Sequence, residues 1–232
     1  MKYVFIHIPK CAGSTFSTIL DKNMNTYSIT NLDEPGADLI ETSVACIRGH
    51  ISFDYAEKSG INQPKYICFF RHPVQRSLSW FYYAHQHDKE RDINRFINDD
   101  RHPQYNYMFN AMTCQLGNVS RTQRPSIDSL YKALENLRLI DYVCITEEFE
   151  SSLQMLKDSG VLSDITHTNH NVTKNKPDIN THSKDLLQSI YNKNYYDIII
   201  YLIALGIFQK RIEKNFSESV IENAIKAINK DY

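Results

Sequence analysis

The segment that organises this sequence is Tyr3-Val-Phe-Ile-His-Ile-Pro-Lys-Cys-Ala-Gly-Ser-Thr-Phe16. It starts with a largely apolar run, residues 3–8, whose β-branched and aromatic side chains are typical of a buried strand. Pro9 ends that run, and a helical pattern extends from Thr15 to Leu20. The segment therefore predicts a buried strand, a tight loop and the N-terminus of a helix in direct succession.

That loop has the composition of a site for a phosphate-like anion. The free N–H groups and the dipole at a helix N-terminus attract negative charge. Gly13 lets the main chain approach a ligand closely, and Lys10 adds a full positive charge. Ser14 and Thr15 add hydroxyl donors. An ordinary turn with a helix cap uses similar residues, so both interpretations are open on this segment alone.

The order of residues excludes one kind of phosphate loop. In the Walker pattern, Gly-x-x-x-x-Gly-Lys-Ser/Thr, the lysine directly follows a glycine. Here Lys10 precedes Gly13, which is the only glycine of the loop. Any anion site at this position must therefore follow a different pattern.

Chain length, net charge and cysteine content exclude several classes of protein. The chain has 232 residues, for which one domain spanning 1–232 is expected. A net charge of −1 provides no overall basic field for nucleic acid. Five cysteines without a C-x-x-C pair argue against a disulfide framework and a zinc ribbon. We expect a cytoplasmic protein without a membrane span, because we find no signal-peptide pattern and no apolar run near the roughly 20 residues that a bilayer requires.

Four short apolar segments alternate with helical ones, and this order predicts an α/β fold. The predicted strands cover residues 3–8, 43–48, 65–70 and 141–146. We expect a three-layer arrangement, a parallel sheet flanked by helices. Ligands of such sheets bind beyond the carboxyl ends of the strands, where this chain carries Lys10, His50, Arg71 and Glu147.

The remaining segments are mostly helical. Helices are predicted over residues 15–20, 53–59, 74–87, 106–116, 127–137, 147–158, 183–205 and 209–228. Residues 25–42 are predicted to be an irregular connection, residues 88–106 an exposed helix and loop, and residues 166–181 a long polar loop.

A second informative segment is Arg71-His-Pro-Val-Gln-Arg-Ser-Leu-Ser79. Arg71 follows a strand, and Arg76, Ser79 and Tyr83 recur at helical spacing and so share a face. A guanidinium group can bind two phosphate oxygens at once, so an arginine and a hydroxyl at a helix start suit a phosphate site. The alternative is an arginine that caps strand carbonyls, and the residues alone slightly favour it.

A third segment, Arg48-Gly-His-Ile-Ser-Phe53, places His50 after a predicted strand. An unperturbed histidine has a pKa near 6.5, so a useful neutral fraction is present at neutral pH and can act as a general base. A structural histidine bonded to a carbonyl is the more common reason for a single histidine at such a position.

All three segments resemble motifs of sulfotransferases. His7-Ile-Pro-Lys-Cys-Ala-Gly-Ser-Thr15 is similar to the 5′-phosphosulfate loop of the carbohydrate branch, His-Ile-Pro-Lys-Thr-Ala-Gly-Thr-Ser, with Cys11 for threonine. The second segment resembles the 3′-phosphate motif, Arg-Asp/Asn-Pro-x-x-Arg-x-x-Ser-x-Phe/Tyr-x-Tyr, with His72 at the Asp/Asn position. The third is similar to His-Gly-His-Val-Ser-Tyr of the uronyl 2-O-sulfotransferases, with Arg48 for the first histidine.

The resemblance implies a P-loop NTPase-like sulfotransferase fold and a donor, 3′-phosphoadenosine 5′-phosphosulfate (PAPS), that leaves adenosine 3′,5′-bisphosphate as product. His50 would be the general base toward an acceptor hydroxyl of a small molecule or glycan, and Lys10 would stabilise the leaving oxygen. No metal is implied. The implied cofactor-binding residues are Lys10, Cys11, Ala12, Gly13, Ser14, Thr15, Arg71, Ser79 and, in a loop resembling the family's Asn-Val-Thr/Ser segment, Asn171, Thr173 and Lys174.

Two other functions stay open at this point. A P-loop-like nucleotide kinase would use the same fold type, although the loop has the wrong order for it. A catalytically inactive nucleotide-binding protein is compatible with the departures at Cys11, Arg48 and His72.

Overall fold

The computed structural model describes residues 2–29, 43–88, 92–120, 122–168 and 177–212. Within these ranges five parallel strands form one sheet in the order β2-β3-β1-β4-β5. The strands are β1 (Tyr3–Ile6), β2 (Thr26–Ile29), β3 (Cys46–Gly49), β4 (Lys65–Phe70) and β5 (Tyr142–Ile145). The predicted α/β fold is confirmed.

Ten α-helices surround the sheet in the described part of the chain. They are α1 (Gly13–Asn23), α2 (Tyr55–Lys58), α3 (Pro73–Ala84), α4 (Ile93–Asn98), α5 (Tyr105–Met108), α6 (Ala111–Leu116), α7 (Ile127–Leu137), α8 (Phe149–Asp158), α9 (Lys184–Lys193) and α10 (Tyr195–Ile212). No helix in these ranges has both the length and the apolar character needed to cross a bilayer. The single domain over residues 1–232 stays a prediction.

Helices cover both faces of the sheet. Consecutive residues of β1 and β4 are buried, which requires packing on each side because neighbouring side chains point to opposite faces. On one face the rings of Phe5 and Phe69 contact Phe16 of α1, and Phe69 also contacts Phe149 of α8. On the other face α6, α7 and α10 pack together, and α10 also packs along β5. The three-layer arrangement predicted from the apolar strands is therefore present.

Strand β1 lies at the centre of the sheet. The chain passes from β1 to β2 and β3 on one side, and then crosses to β4 and β5 on the other side. The direction of winding therefore reverses at β1, and open α/β sheets bind ligands at such a reversal. This topology puts the carboxyl end of β1 between those of β3 and β4.

The sheet contains one strand more than predicted. Residues 25–42 were expected to be irregular, but Thr26–Ile29 pairs with β3 as an edge strand. Only Ile29 of this strand is buried, so it lacks the continuous apolar run that predicts an interior strand. Residues 30–42 lie outside the described residues.

Most of the described residues between 88 and 106 are exposed, as predicted. Phe96 and Ile97, the apolar anchors of this charged segment, join Ile93 in a second hydrophobic cluster that also contains Trp80 and Phe81 of α3. The contact of this cluster with α3 was not predicted. The cluster extends the structure over α3, away from the sheet core.

Two predicted helices are interrupted by asparagines. Asn110 adopts a left-handed conformation (φ 51°) and separates α5 from α6 within the predicted helix 106–116. Asn194 ends α9 within the predicted helix 183–205. The side chain of Asn194 accepts from the N–H of Asn110 at 3.1 Å, so the two breaks support each other across 84 residues of sequence. Of the predicted helix 209–228, only the part to Ile212 is described, and it continues α10.

A buried ion pair connects the helices beyond the sheet. The side chains of Arg76 and Asp197 are completely inaccessible, and Arg76 Nε lies 4.0 Å from Asp197 Oδ2. The guanidinium group also donates to the carbonyl oxygens of Pro9 (3.5 Å), Tyr107 (3.0 Å) and Met108. These contacts join α3, the loop after β1, α5 and α10.

The carboxylate of Asp197 is held by further donors. Its Oδ1 accepts from the N–H and the hydroxyl of Thr113, both at 2.8 Å, and its Oδ2 accepts from the N–H of Met112 at 3.1 Å. Burial raises the pKa of Asp197, whereas the guanidinium of Arg76 and these donors oppose the rise. The pair is therefore stabilised by its neighbours as well as by mutual attraction.

Removing one member of this pair should strongly destabilise the protein. Arg76→Met leaves the Asp197 carboxylate buried without its cation, and we expect a loss of about 3–5 kcal/mol in the free energy of unfolding. Lys132→Met breaks the exposed Lys132–Glu135 pair and should cost less than about 1 kcal/mol. Urea unfolding of both variants measures the difference. Equal, small losses would show that the buried pair is dispensable.

Candidate active site at the ends of three strands

Three neighbouring strands bring the predicted site residues together. His50 directly follows β3, Arg71 directly follows β4, and the loop of residues 7–12 leaves β1 between them. Parallel strands end at the same edge, so both side chains flank the loop. The structure thereby assembles the three segments that sequence motifs indicated separately.

The loop after β1 has the main-chain conformation of an anion site. Lys10 and Ala12 are left-handed, with φ values of 68° and 58°. Such residues in a tight turn are found in main-chain nests whose N–H groups bind anions. Ala12 is the N-cap of α1 and makes no capping hydrogen bond with its side chain. A ligand can therefore take the place of a cap at the N-terminus of α1.

Cys11 is engaged within the protein. Its side chain is buried, and burial raises the pKa of its thiol to about 12, so the thiol stays neutral. Its amide donates to the carbonyl of Ile8 at 3.3 Å. The thiol is therefore a packed neutral side chain, and the predicted cofactor contact of Cys11 stays a prediction.

Gly13 is required by the imidazole ring of His7. A Cβ atom at Gly13 would lie 2.0 Å from both Cδ2 and Nε2 of His7. The ring cannot move away easily, because it stacks on Phe5 at 5.5 Å and on the ring of His50 at 4.3 Å between centroids. Gly13 thus serves the packing of His7, a role that the sequence analysis did not assign.

His50 is oriented by the main chain of His7. Its Nδ1 lies 2.7 Å from the carbonyl oxygen of His7. A carbonyl oxygen only accepts, so Nδ1 carries a proton and donates. In the neutral ring Nε2 is then the nitrogen that can take up a proton. His50 is exposed, so a substrate hydroxyl can reach it.

His7 remains neutral beside this histidine. Desolvation, together with the smaller effects of the nearby charges of His50, Arg48 and Lys10, lowers its pKa to about 3. A neutral His7 ring avoids charge repulsion if His50 becomes protonated. Sequence reasoning quoted His7 as part of a motif, but nothing in its spacing indicated this stacking.

Arg71 supports the loop from the β4 side. Its guanidinium Nη1 donates to the carbonyl of Lys10 at 3.0 Å. Its Nε is buried and has no hydrogen-bond partner among the described residues. Ser79 lies two turns along α3 and is buried, and its hydroxyl also makes no hydrogen bond within those residues. These donors remain for a ligand.

Lys10 lies over an aromatic ring. Its Nζ is 3.9 Å from the ring centroid of Tyr83, a residue that is 47% exposed. A cation over the face of a tyrosine ring is attracted by about 0.5–2 kcal/mol, depending on its exposure to solvent. The interaction holds the Lys10 ammonium on the α3 side of the loop.

Two departures from the family motifs have structural partners. Arg48 forms a bidentate ion pair with Asp21 of α1, with Nη2 at 2.9 Å and 3.0 Å from the two carboxylate oxygens. The ring of His72 contacts the ring of Tyr201 at 5.5 Å between centroids, and its Nδ1 is buried without a hydrogen-bond partner among the described residues. The main-chain N–H of His72 donates to Glu147 Oε1 at 3.0 Å, a bond that does not depend on its side chain. Both residues therefore have roles in connecting elements of the sheet edge.

Part of the predicted site cannot be placed. Asn171, Thr173 and Lys174 lie outside the described residues. In the part of the chain that is described, no group of three or more His, Cys, Asp or Glu side chains could hold a metal ion.

Comparison with known proteins supports the fold. No protein-family model matches the chain, and no curated protein matches it. The structure resembles the crystal structure of a sulfotransferase from Alicyclobacillus acidocaldarius, with a TM-score of 0.52 and 15% sequence identity. The match covers 88% of this chain and 95% of the other. At this identity the likeness shows a shared fold.

The contact between Gly13 and His7 can be tested with a double-mutant cycle. Gly13→Ala should cost about 1–3 kcal/mol in the free energy of unfolding, because the new methyl group overlaps the His7 ring. In a His7→Ala background the ring is absent, and the same substitution should cost much less. Chemical unfolding of the four proteins gives the coupling. An equal cost in both backgrounds would contradict the proposed overlap.

The low pKa of His7 predicts a pH-dependent stability. In the unfolded chain His7 has a pKa near 6.5, and in the folded protein its pKa is about 3. Between these two pH values the unfolded chain is protonated at His7 and the folded protein is not. Stability from a neutral His7 is therefore present above pH 6.5 and falls by about 1.4 kcal/mol per pH unit below it.

The measurement compares the wild type with His7→Gln in urea at pH 7 and pH 5. Lowering the pH from 7 to 5 should decrease the unfolding free energy of the wild type by about 2 kcal/mol more than that of His7→Gln. His87→Gln, the same change at an exposed residue, is the matched control. A difference that is independent of pH would show that His7 titrates alike in both states.

Proposed function

We propose that this protein is a PAPS-dependent sulfotransferase that transfers a sulfuryl group to an acceptor hydroxyl. One observation carries the proposal: the loop after β1 has His50 on one side and Arg71 on the other. A base and an anion-binding arginine thus flank an anion loop at the reversal point of the sheet. The motif resemblances and the shared fold support the same function.

The residues present fit the donor. PAPS supplies the sulfuryl group when bound, and its phosphates are anions that need buried donors. Arg71 Nε has no partner among the described residues, and the Ser79 hydroxyl is available nearby on α3. We assign these two residues to the 3′-phosphate. We assign the phosphosulfate end to the residues of the loop and the start of α1, namely Lys10, Cys11, Ala12, Gly13, Ser14 and Thr15.

His50 would act as the general base. The hydrogen bond from its Nδ1 to the His7 carbonyl leaves Nε2 to accept the proton of the acceptor hydroxyl. The hydroxyl oxygen then forms a bond to sulfur as the bond between sulfur and the bridging phosphate oxygen breaks. Lys10 would stabilise the negative charge on that leaving oxygen.

A carbohydrate is the acceptor class we favour. This choice rests on the similarity of the loop and of the His50 segment to the carbohydrate branch of sulfotransferases. We also place the protein in the cytoplasm, because all five cysteines are free and buried in the described structure. Panels of sugars, lipids and phenols as acceptors test the first choice.

Adenosine 3′,5′-bisphosphate should stabilise the protein. At a concentration about a hundredfold above its Kd, binding adds about 2.7 kcal/mol and should raise Tm by about 5–10 °C. ATP with Mg²⁺ should give a much smaller shift. Arg71→Met should remove the response, and Arg138→Met, at an exposed position, should keep it. Stabilisation by ATP and Mg²⁺ alone would favour a nucleotide kinase instead.

His50→Gln should separate binding from transfer. Loss of a general base lowers the rate of label transfer from PAPS by about 10²–10⁴, whereas the Tm shift with the bisphosphate should persist. If the wild type binds the bisphosphate but labels no acceptor of the panel, the protein is better described as a nucleotide-binding relative without activity. Loss of both properties in His50→Gln would assign a structural role to His50.

A further inference from the structure

Gln115 of α6 contacts the main chain on both sides of the candidate base. Its Nε2 donates to the carbonyl oxygen of His7 at 3.1 Å and to that of Ile51 at 2.8 Å. Its own carbonyl oxygen on the main chain accepts from the N–H of Phe53 at 3.2 Å. One residue on a helix therefore fixes the end of β1 and the segment that follows β3.

The two side-chain acceptors enclose His50. The His7 carbonyl is the oxygen to which His50 Nδ1 donates, and Ile51 is the next residue after His50. Residue pairing of β1 with its neighbours ends at Ile6, and the His7 N–H makes one further bond to the Gly49 carbonyl at 2.9 Å. The His7 carbonyl itself lies beyond the ladder, and the side chains of His50 and Gln115 are donors to it.

We propose that Gln115 is a positioning residue that holds His50 in the tautomer and orientation needed for proton transfer, by fixing the carbonyl of His7 and the main chain at Ile51. The inference rests on the proposed role of His50. Gln115 acts through the main chain and has no contact with the reacting atoms in this account.

The physical basis is the choice between two tautomers. A neutral imidazole in water carries its proton mainly on Nε2, which is the tautomer that cannot accept a proton there. The bond from His50 Nδ1 to the His7 carbonyl reverses this preference. If the carbonyl and the segment at Ile51 are released, the ring loses a fixed acceptor and returns toward the ordinary tautomer.

A purely structural role predicts something different. Gln115 would then anchor α6 to the sheet edge, and its loss would lower Tm while His50 kept its tautomer. Tm alone cannot distinguish these roles, whereas the protonation of the His50 ring can.

The test is a two-bond ¹H–¹⁵N correlation spectrum of histidine rings in the labelled protein, with His50 assigned from its absence in His50→Gln. In the wild type, Nδ1 of His50 should show the protonated shift and Nε2 the unprotonated one. Gln115→Met removes both donors at similar size, and Gln115→Asn keeps an amide that is too short to reach both carbonyls. Gln154→Met makes the same chemical change on the exposed face of α8 and is the control.

In either folded Gln115 variant, the ring shifts should move toward the Nε2-protonated tautomer, and Gln154→Met should match the wild type. Label transfer from PAPS should fall by about tenfold or more in kcat, with KM for PAPS changed less than about twofold. Unchanged His50 shifts in both variants would overturn the positioning role, even if the protein is an active sulfotransferase. Changed shifts in a protein that transfers no sulfate would support the positioning role and reject the proposed function.

Discussion

The buried guanidinium group of Arg76 is the constraint on which much of this structure depends. A charge without access to water is very costly unless acceptors surround it. Arg76 meets this requirement through ion pairing with Asp197 and hydrogen bonds to carbonyl oxygens of Pro9, Tyr107 and Met108, although its Nε makes no hydrogen bond among the described residues. These groups come from three distant parts of the chain. Satisfying one side chain therefore fixes the relative positions of α3, α5, α10 and the loop after β1.

The same principle explains how the loop after β1 presents its N–H groups. The carbonyls of His7, Pro9 and Lys10 accept hydrogen bonds from side chains of the surrounding protein. A trans peptide points its carbonyl and the following N–H in opposite directions, and no cis peptide occurs in the described residues. A carbonyl that is turned inward thus turns the following N–H outward, except where that N–H has its own acceptor, as the Cys11 N–H has in the Ile8 carbonyl. Arg71 and Arg76 fix the loop through its carbonyl side.

Burial also decides which cysteine and histidine side chains can ionise. All five cysteines are buried. Desolvation raises the pKa of Cys11, Cys46 and Cys114 to about 12, and it also raises the pKa of Cys68 and Cys144. His7 is kept neutral by the opposite effect of burial on a base. Of the stacked histidines, only His50 is exposed. The chemistry available at the strand ends is therefore concentrated on His50, Lys10 and the arginine beside them.

The sequence by itself determined the fold class and four of the five strands, because buried parallel strands are continuous apolar runs. It also indicated the three segments that meet at the candidate site, because the carboxyl ends of parallel strands share an edge. The tertiary structure decided the rest. Strand β2 formed because β3 offered an edge to a half-exposed segment, and the helix breaks at Asn110 and Asn194 formed because each side chain found its partner far away in the sequence. The contacts of His7 with His50 and Gln115, and the burial of Arg76 against Asp197, join residues separated by 43 to 121 positions. Local sequence patterns do not predict such pairs, because each pair becomes stable only when packing removes water from both partners.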